Sequence, residues 1–217
     1  MIIENRCCCK TSPIFLLFLP AMKPTKKQIG IFSGSFNPIH VGHLVLANYI
    51  KEFTYLDEVW FVVTPHNPLK DAENLLDDEL RLQMASLALD KYEGLRVSDI
   101  EFSMPRPSYT INTLTKLRET HPDKDFTLII GGDNWTRFSR WKEYERILQE
   151  FKILIYPRLG SEVEVSAEYS ETVGVVKAPI VEISSTFIRN SIKEGKNVRA
   201  FVPEKVYDFI QEKGLYR

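Results

Sequence analysis

From Gln28 to the carboxyl terminus, short apolar runs alternate with stretches whose apolar residues recur at helical spacing. Gln28–Phe32, Glu58–Val63, Phe126–Ile130 and Lys152–Tyr156 read as buried strands, with weaker ones at Arg96–Ile100 and Val173–Val176. Helical patterns lie between them. One covers Val41–Phe53; a second runs from a cap at Asp77 or Asp78 through Leu80, Met84, Leu87 and Ala88. A third opens at Ser108 and stops at His121-Pro122, and a fourth covers Tyr144–Gln149. Helices near Thr186–Lys193 and Pro203–Lys213 finish the chain. Strands separated by helices of that length cannot pair as hairpins. They form βαβ crossovers, hence an α/β fold with a parallel sheet covered on both faces. No repeat or low-complexity linker interrupts the pattern, so residues 22–217 are expected to form one domain.

The first residues, Met1–Ala21, do not share this pattern. Their apolar run Ile14–Leu19 is bracketed by Pro13 and Pro20. It is shorter than the ~20 residues of a spanning helix or the ~7–15 of a signal-peptide core. We read it as a non-structural extension upstream of an initiator at Met22. The alternative is a weak export or lipid signal acylated at Cys7–Cys9. Those are the only 3 cysteines, so the body can build neither a disulfide framework nor a cysteine zinc site. A cytoplasmic protein with no membrane partner is the expectation.

Charge narrows the function. Lys plus Arg is 28 against 29 Asp plus Glu, a formal net charge of −1. A binder of nucleic acid that works through bulk positive charge is therefore not expected, although a local phosphate site remains open.

Two segments can make such a site. Gly34-Ser35-Phe36-Asn37-Pro38-Ile39-His40-Val41-Gly42-His43 joins the first strand to the first helix, and in a parallel sheet that junction faces the ligand crevice. Gly34 is expected to allow positive φ and close backbone approach, and Gly42 to leave the helix N-terminus open to a phosphate. His40 and His43 are expected to project from one helical face towards phosphoryl oxygens. Alone, a His-x-x-His pair also fits a solvated helix edge or part of a metal site. The second segment is Ile183-Ser184-Ser185-Thr186-Phe187-Ile188-Arg189. Its hydroxyls can simply cap a helix, but with the helix dipole and Arg189 they also describe a triphosphate clamp. Neither a Walker-type loop nor G-x-G-x-x-G is present.

Together these blocks, G-S-F-N-P-I-H-x-G-H followed by I-S-S-T-x-I-R, resemble the nucleotidyltransferase superfamily with the His/Thr-x-Gly-His signature, distant kin of class I aminoacyl-tRNA synthetases. The resemblance spans about Gln28 to the carboxyl terminus. It implies a Rossmann-like parallel sheet of the HIGH superfamily architecture. Within that superfamily, Pro107-Ser108-Tyr109-Thr110, Gly131-Gly132-Asp133-Asn134 and Phe138-Ser139-Arg140-Trp141 are similar to segments of bacterial nicotinate-nucleotide adenylyltransferases. That likeness implies transfer of AMP from ATP to nicotinate mononucleotide, with release of pyrophosphate. It implies His40, His43 and Arg189 as catalytic groups. For ATP it implies Gly34, Ser35, Phe36, Gly42, Gly131, Asp133, Arg158, Ser184, Ser185 and Thr186. For the mononucleotide it implies Asn37, Thr64, Lys70, Ser108, Tyr109, Thr110 and Trp141, the last stacking on the pyridine ring. Mg²⁺ would arrive with ATP rather than occupy a protein cage. A homo-oligomer is left open.

A phosphate monoester is already an anion at neutral pH, so the chemistry needs positioning and charge stabilisation rather than a general base. Three rivals stand beside this reading. One is the same chemistry on nicotinamide mononucleotide or phosphopantetheine. Another is a nucleotide-binding sensor without turnover. A tRNA synthetase fragment is the third, but the chain lacks its K-M-S-K-S partner.

Overall fold

The computed structural model describes residues 26–65, 75–161 and 163–217. The leader and Lys70 lie outside these described residues. Six strands form one sheet: β1 (Lys27–Gly34), β2 (Glu58–Val63), β3 (Leu95–Ser98), β4 (Lys124–Gly131), β5 (Lys152–Tyr156) and β6 (Val173–Val175). Their order is β3-β2-β1-β4-β5-β6, and every neighbouring pair is parallel. The crossovers carry α1 (Val41–Phe53), α2 (Asp78–Leu89), α3 (Thr110–Thr120), α4 (Gly132–Trp135) and α5 (Tyr144–Glu150). After β6 come α6 (Ser185–Lys193) and α7 (Glu204–Lys213).

Side chains alternate across a strand, so each apolar run feeds two cores. Ile29, Ile31, Leu128, Ile130, Ile153 and Ile155 point to one face and pack with Ile111, Leu114 and Leu117 of α3 and Ile147 of α5. Phe32, Val59, Phe61, Val63, Ile129 and Leu154 point to the other, against α1, α2, α6 and α7. The one acid in β2, Glu58, is buried beneath Trp60 and stays ionised through three donors. Burial alone would raise its pKa. Lys27 Nζ at 2.5 Å, Trp60 Nε1 at 2.7 Å and Arg96 Nε at 3.1 Å outweigh that and hold it below the usual range.

The strand order fixes where ligands can go. From β1 the chain winds outward to β2 and β3, then returns to β4 and winds the other way, so the switch point lies between β1 and β4. A crevice opens there at the carboxyl ends of the strands. One helix start matches the sequence expectation and another departs from it. Asp77 caps α2 by accepting from Glu79 N–H at 2.9 Å, as expected. The expected start of α3 at Ser108 is corrected to Thr110 after Tyr109, because the Ser108 hydroxyl donates to Glu101 at 2.9 Å instead of capping.

Candidate active site

Every candidate residue within the described chain follows the carboxyl end of a strand: the first turn after β1, Thr64 after β2, Ser108–Thr110 after β3, Gly131–Trp141 at the end of β4 and beyond, Arg158 after β5, and Ser184–Arg189 after β6. A cavity of about 470 Å³ opens on this edge. His40, Gly42 and His43 line it from α1, Asp133 from α4, Arg158 after β5, and Ser184 before α6.

The two histidines form one unit. His40 is the N-cap of α1 in extended conformation, and the imidazoles stack with centroids 3.7 Å apart and planes 27° apart. His43 Nδ1 accepts the backbone N–H of His40 at 3.2 Å, which leaves Nε2 as the proton-bearing nitrogen of its neutral ring. Phe36 meets the His43 ring edge-on at 5.1 Å. His40 is only 5% exposed, and its Nδ1 has no hydrogen-bond partner among the described residues. Burial, with the Arg158 guanidinium adding to it, pushes this imidazole down to about 4. His40 is therefore neutral at pH 7.

The glycines act by leaving space. A methyl group on Gly42 would stand 3.1 Å from Nδ1 of His40 and 3.4 Å from Val181, so Gly42 is what lets the His40 ring lie on the helix start. Positive φ was expected at Gly34 and occurs instead at Phe36, at 44°. That strained turn folds the Phe36 ring back over Gly34, where a side chain would meet it at 3.0 Å. Phe36 is thereby buried.

Helix α6 fastens the same turn. Ser184 caps it, accepting from Phe187 N–H at 3.1 Å, while Ser185 Oγ donates to the Pro38 carbonyl at 2.8 Å. Arg189 Nη1 donates to the Asn37 carbonyl at 2.9 Å, and its Nη2 lies 3.4 Å from Thr186 Oγ1. Two residue blocks far apart in sequence thus make one surface of hydroxyls, helix N-termini and a guanidinium.

Comparison with known proteins matches this geometry to a family. The cytidylyltransferase-like family profile matches residues 31–191. A probable nicotinate-nucleotide adenylyltransferase of Bacteroides fragilis is 57% identical over 182 residues, 84% of this chain and 90% of that protein. The chain belongs to the nicotinate-nucleotide adenylyltransferase family. The protein of the same name from Bacteroides thetaiotaomicron is 55% identical over 86% of this chain and 92% of its own length. Among solved structures, the Plasmodium falciparum nicotinic acid mononucleotide adenylyltransferase complexed with NaAD superimposes with a TM-score of 0.73 at 21% identity. It covers 88% of this chain and 97% of its own, a likeness of fold. Among the described residues, no helix is long and apolar enough to cross a membrane.

The other residues expected of a nicotinate-nucleotide adenylyltransferase stand apart from the cavity. Ser108 and Thr113 donate to the buried Glu101, at 2.9 and 2.7 Å. Lys142 Nζ lies 4.5 Å over the Tyr109 ring, and Thr110 opens α3. Trp141 packs on Phe138 at 5.2 Å. These residues line the same sheet edge but no wall of the cavity. Thr64 acts through its backbone, donating from N–H to the Gly34 carbonyl at 2.9 Å.

Two positions escaped the sequence reading. Tyr156 ends β5 inside the cavity, and its hydroxyl accepts from Arg158 at 3.2 Å, while Arg158 Nε stands 3.8 Å from Asp133. Arg81, fully buried in α2, donates to the carbonyls of Ser35 and Thr64 at 2.7 Å, Pro65 at 2.9 Å and Leu76 at 3.0 Å, and pairs with Asp78. It ties the ends of β1 and β2 to α2. In sequence Asp78 and Arg81 look like an ordinary exposed helix pair, so nothing local marks the role.

Proposed function

We propose that this chain joins AMP from ATP to nicotinate mononucleotide, giving nicotinate adenine dinucleotide and pyrophosphate, with residues 22–217 acting as one nucleotidyltransferase domain. The observation that carries this reading is the stacked His40–His43 pair at the start of α1, facing a cavity at the switch point in a chain of this family.

The chemistry follows from the residues. The mononucleotide phosphate, already anionic, attacks the α-phosphorus of ATP, and the bond to the β-phosphate oxygen breaks as pyrophosphate leaves. His43 Nε2–H donates to the phosphoryl oxygens as charge builds on them, and His40 backs its ring. The free N–H groups opening α1 and α6, Ser184 to Thr186, and Arg189 hold the triphosphate. Gly34, Ser35 and Phe36 lie under it through their backbone, Gly131 and Asp133 approach the ribose, and Arg158 closes the nucleotide side. Asn37, Thr64, Lys70, Ser108, Tyr109, Thr110 and Trp141 are assigned to the mononucleotide.

Mg²⁺ would travel with ATP. Among the described residues no three His, Cys, Asp or Glu side chains converge on one ion position, so triphosphate oxygens and water fit it better than a protein cage. When bound it would neutralise phosphate charge.

The test is direct. The purified chain is mixed with ATP, Mg²⁺ and either nicotinate or nicotinamide mononucleotide, and pyrophosphate release is followed. Higher kcat/KM with nicotinate mononucleotide is expected; absence of turnover with both would refute the reading.

A further inference from the structure

The last residue of β5 meets a gap in its neighbouring strand. Tyr156 pairs with Gly131 across β4 and β5, and Gly131 has no side chain to fill the space beside it. The phenol lies there: a Cβ on Gly131 would stand 3.1 Å from its Cζ and 3.2 Å from its hydroxyl oxygen. Phe32 meets the same ring edge-on at 6.0 Å. Tyr156 is thus only 6% exposed, and it lines the cavity.

The hydrogen bond at this hydroxyl can run in one direction only. A guanidinium carries donors and no acceptor, so Arg158 Nη2 donates and the phenol oxygen accepts, at 3.2 Å. The Tyr156 proton is left over, and no described residue accepts it. Burial pushes the ionisation of the phenol up, and the Asp133 carboxylate adds to this against the pull of Arg158. The proton therefore stays in place at neutral pH. Asp133 flanks the same glycine: a Cβ on Gly131 would collide with its Oδ1, and Arg158 Nε lies 3.8 Å from it. A donor and an acceptor thus stand together on the cavity wall beside Gly131. A polyphosphate oxygen would suit the phenol but not the carboxylate. A sugar hydroxyl suits both, because it accepts from one group and donates to the other.

We propose that Tyr156 is a nucleotide-binding residue that selects a ribonucleotide: its hydroxyl donates to a ribose hydroxyl of ATP, whose own proton goes to Asp133. The proposal rests on the reading above that Asp133 approaches the ribose, and adds the donor that a carboxylate cannot supply. Arg158, bonded to the phenol oxygen and lying 5.2 Å over the ring, holds the hydroxyl in place from its other side.

The experiment compares the full chain with Tyr156→Phe, using ATP, 2′-deoxy-ATP and 3′-deoxy-ATP at saturating nicotinate mononucleotide. The parent should prefer ATP over at least one deoxy analogue, and in Tyr156→Phe that preference in kcat/KM should shrink roughly threefold to tenfold. A parent that takes all three equally would overturn the proposal. So would a Tyr156→Phe chain with the parental preference, whether its kcat/KM is unchanged or falls equally with all three, since Tyr156 would then at most support Arg158. A narrowed preference for ATP over inosine triphosphate, with the deoxy preference intact, would place the base there and overturn it too. Titration calorimetry repeats the comparison as binding. A chain without turnover therefore refutes the proposed reaction, while the affinities still decide the role of Tyr156.

Discussion

The His40 and His43 imidazoles stack at 3.7 Å with His40 the buried partner, so protonating one opposes protonating the other. In the proposed mechanism the pair works as a neutral back ring and a donor front ring. This arrangement sets the pH behaviour of the molecule.

His40 titrates near 4 in the folded chain against 6.5 unfolded. As pH falls below 6.5, the unfolded chain takes up a proton that the folded chain refuses, and stability declines until about pH 4. Above 6.5 the contribution is flat. The full effect is about 3 kcal/mol. Urea unfolding at pH 7 and pH 5 should show a smaller loss in His40→Asn than in the parent. Equal losses would remove the assignment, as would a His40 imidazole resonance titrating near 6.5 in the parent.

His43→Ala should lower kcat and kcat/KM together by about 10²–10³, the usual cost of one donor to a developing oxyanion. The melting temperature should barely move, because His43 is only partly buried. A mutant that keeps kcat and raises only KM for ATP would show that His43 binds the ground state and does not act on the transition state.

Arg81→Met should destabilise the protein by about 3–5 kcal/mol, since it strands buried carbonyls and the Asp78 carboxylate. At this chain length that corresponds to a fall in Tm of roughly 10 °C. Calorimetry checks it; a fall of only a degree or two would mean that water or a neighbour replaces the guanidinium.

Gly131→Ala tests the ribose side. Its methyl group would collide with Asp133 Oδ1 and stand 3.1 Å from Tyr156 Cζ, so Asp133 has to swing away. ATP affinity should weaken by about tenfold or more while the sheet survives, an expectation that titration calorimetry and circular dichroism address together. Unchanged ATP affinity would separate Asp133 from the nucleotide.

What the sequence made legible was local. The bounds of β2 and β5 match the expected runs because strands buried on both faces are continuous apolar stretches closed by Pro or Thr-Pro. The Ser184 cap is likewise a contact between residues three apart. The edge strand β3 was harder: Ile100 was expected in it but joins a 3-10 turn with Glu101. Long-range partners leave no local trace. Ser108 looked like a cap until Glu101 claimed its hydroxyl, and Arg81 looked exposed. The charge of His40 depends on burial that only the packed turn supplies.

The bonds from Ser185 to Pro38 and from Arg189 to Asn37 also order events in time. They span 147 and 152 positions, so the first turn, made early on the ribosome, gains these two fastenings only when α6 has emerged. The sheet from β1 to β3 can form beforehand, from closures much shorter than these. The fastened form of the first turn therefore arrives late in the life of each new chain, and an incomplete chain that has already folded its first strands would hold its histidines in a turn not yet set.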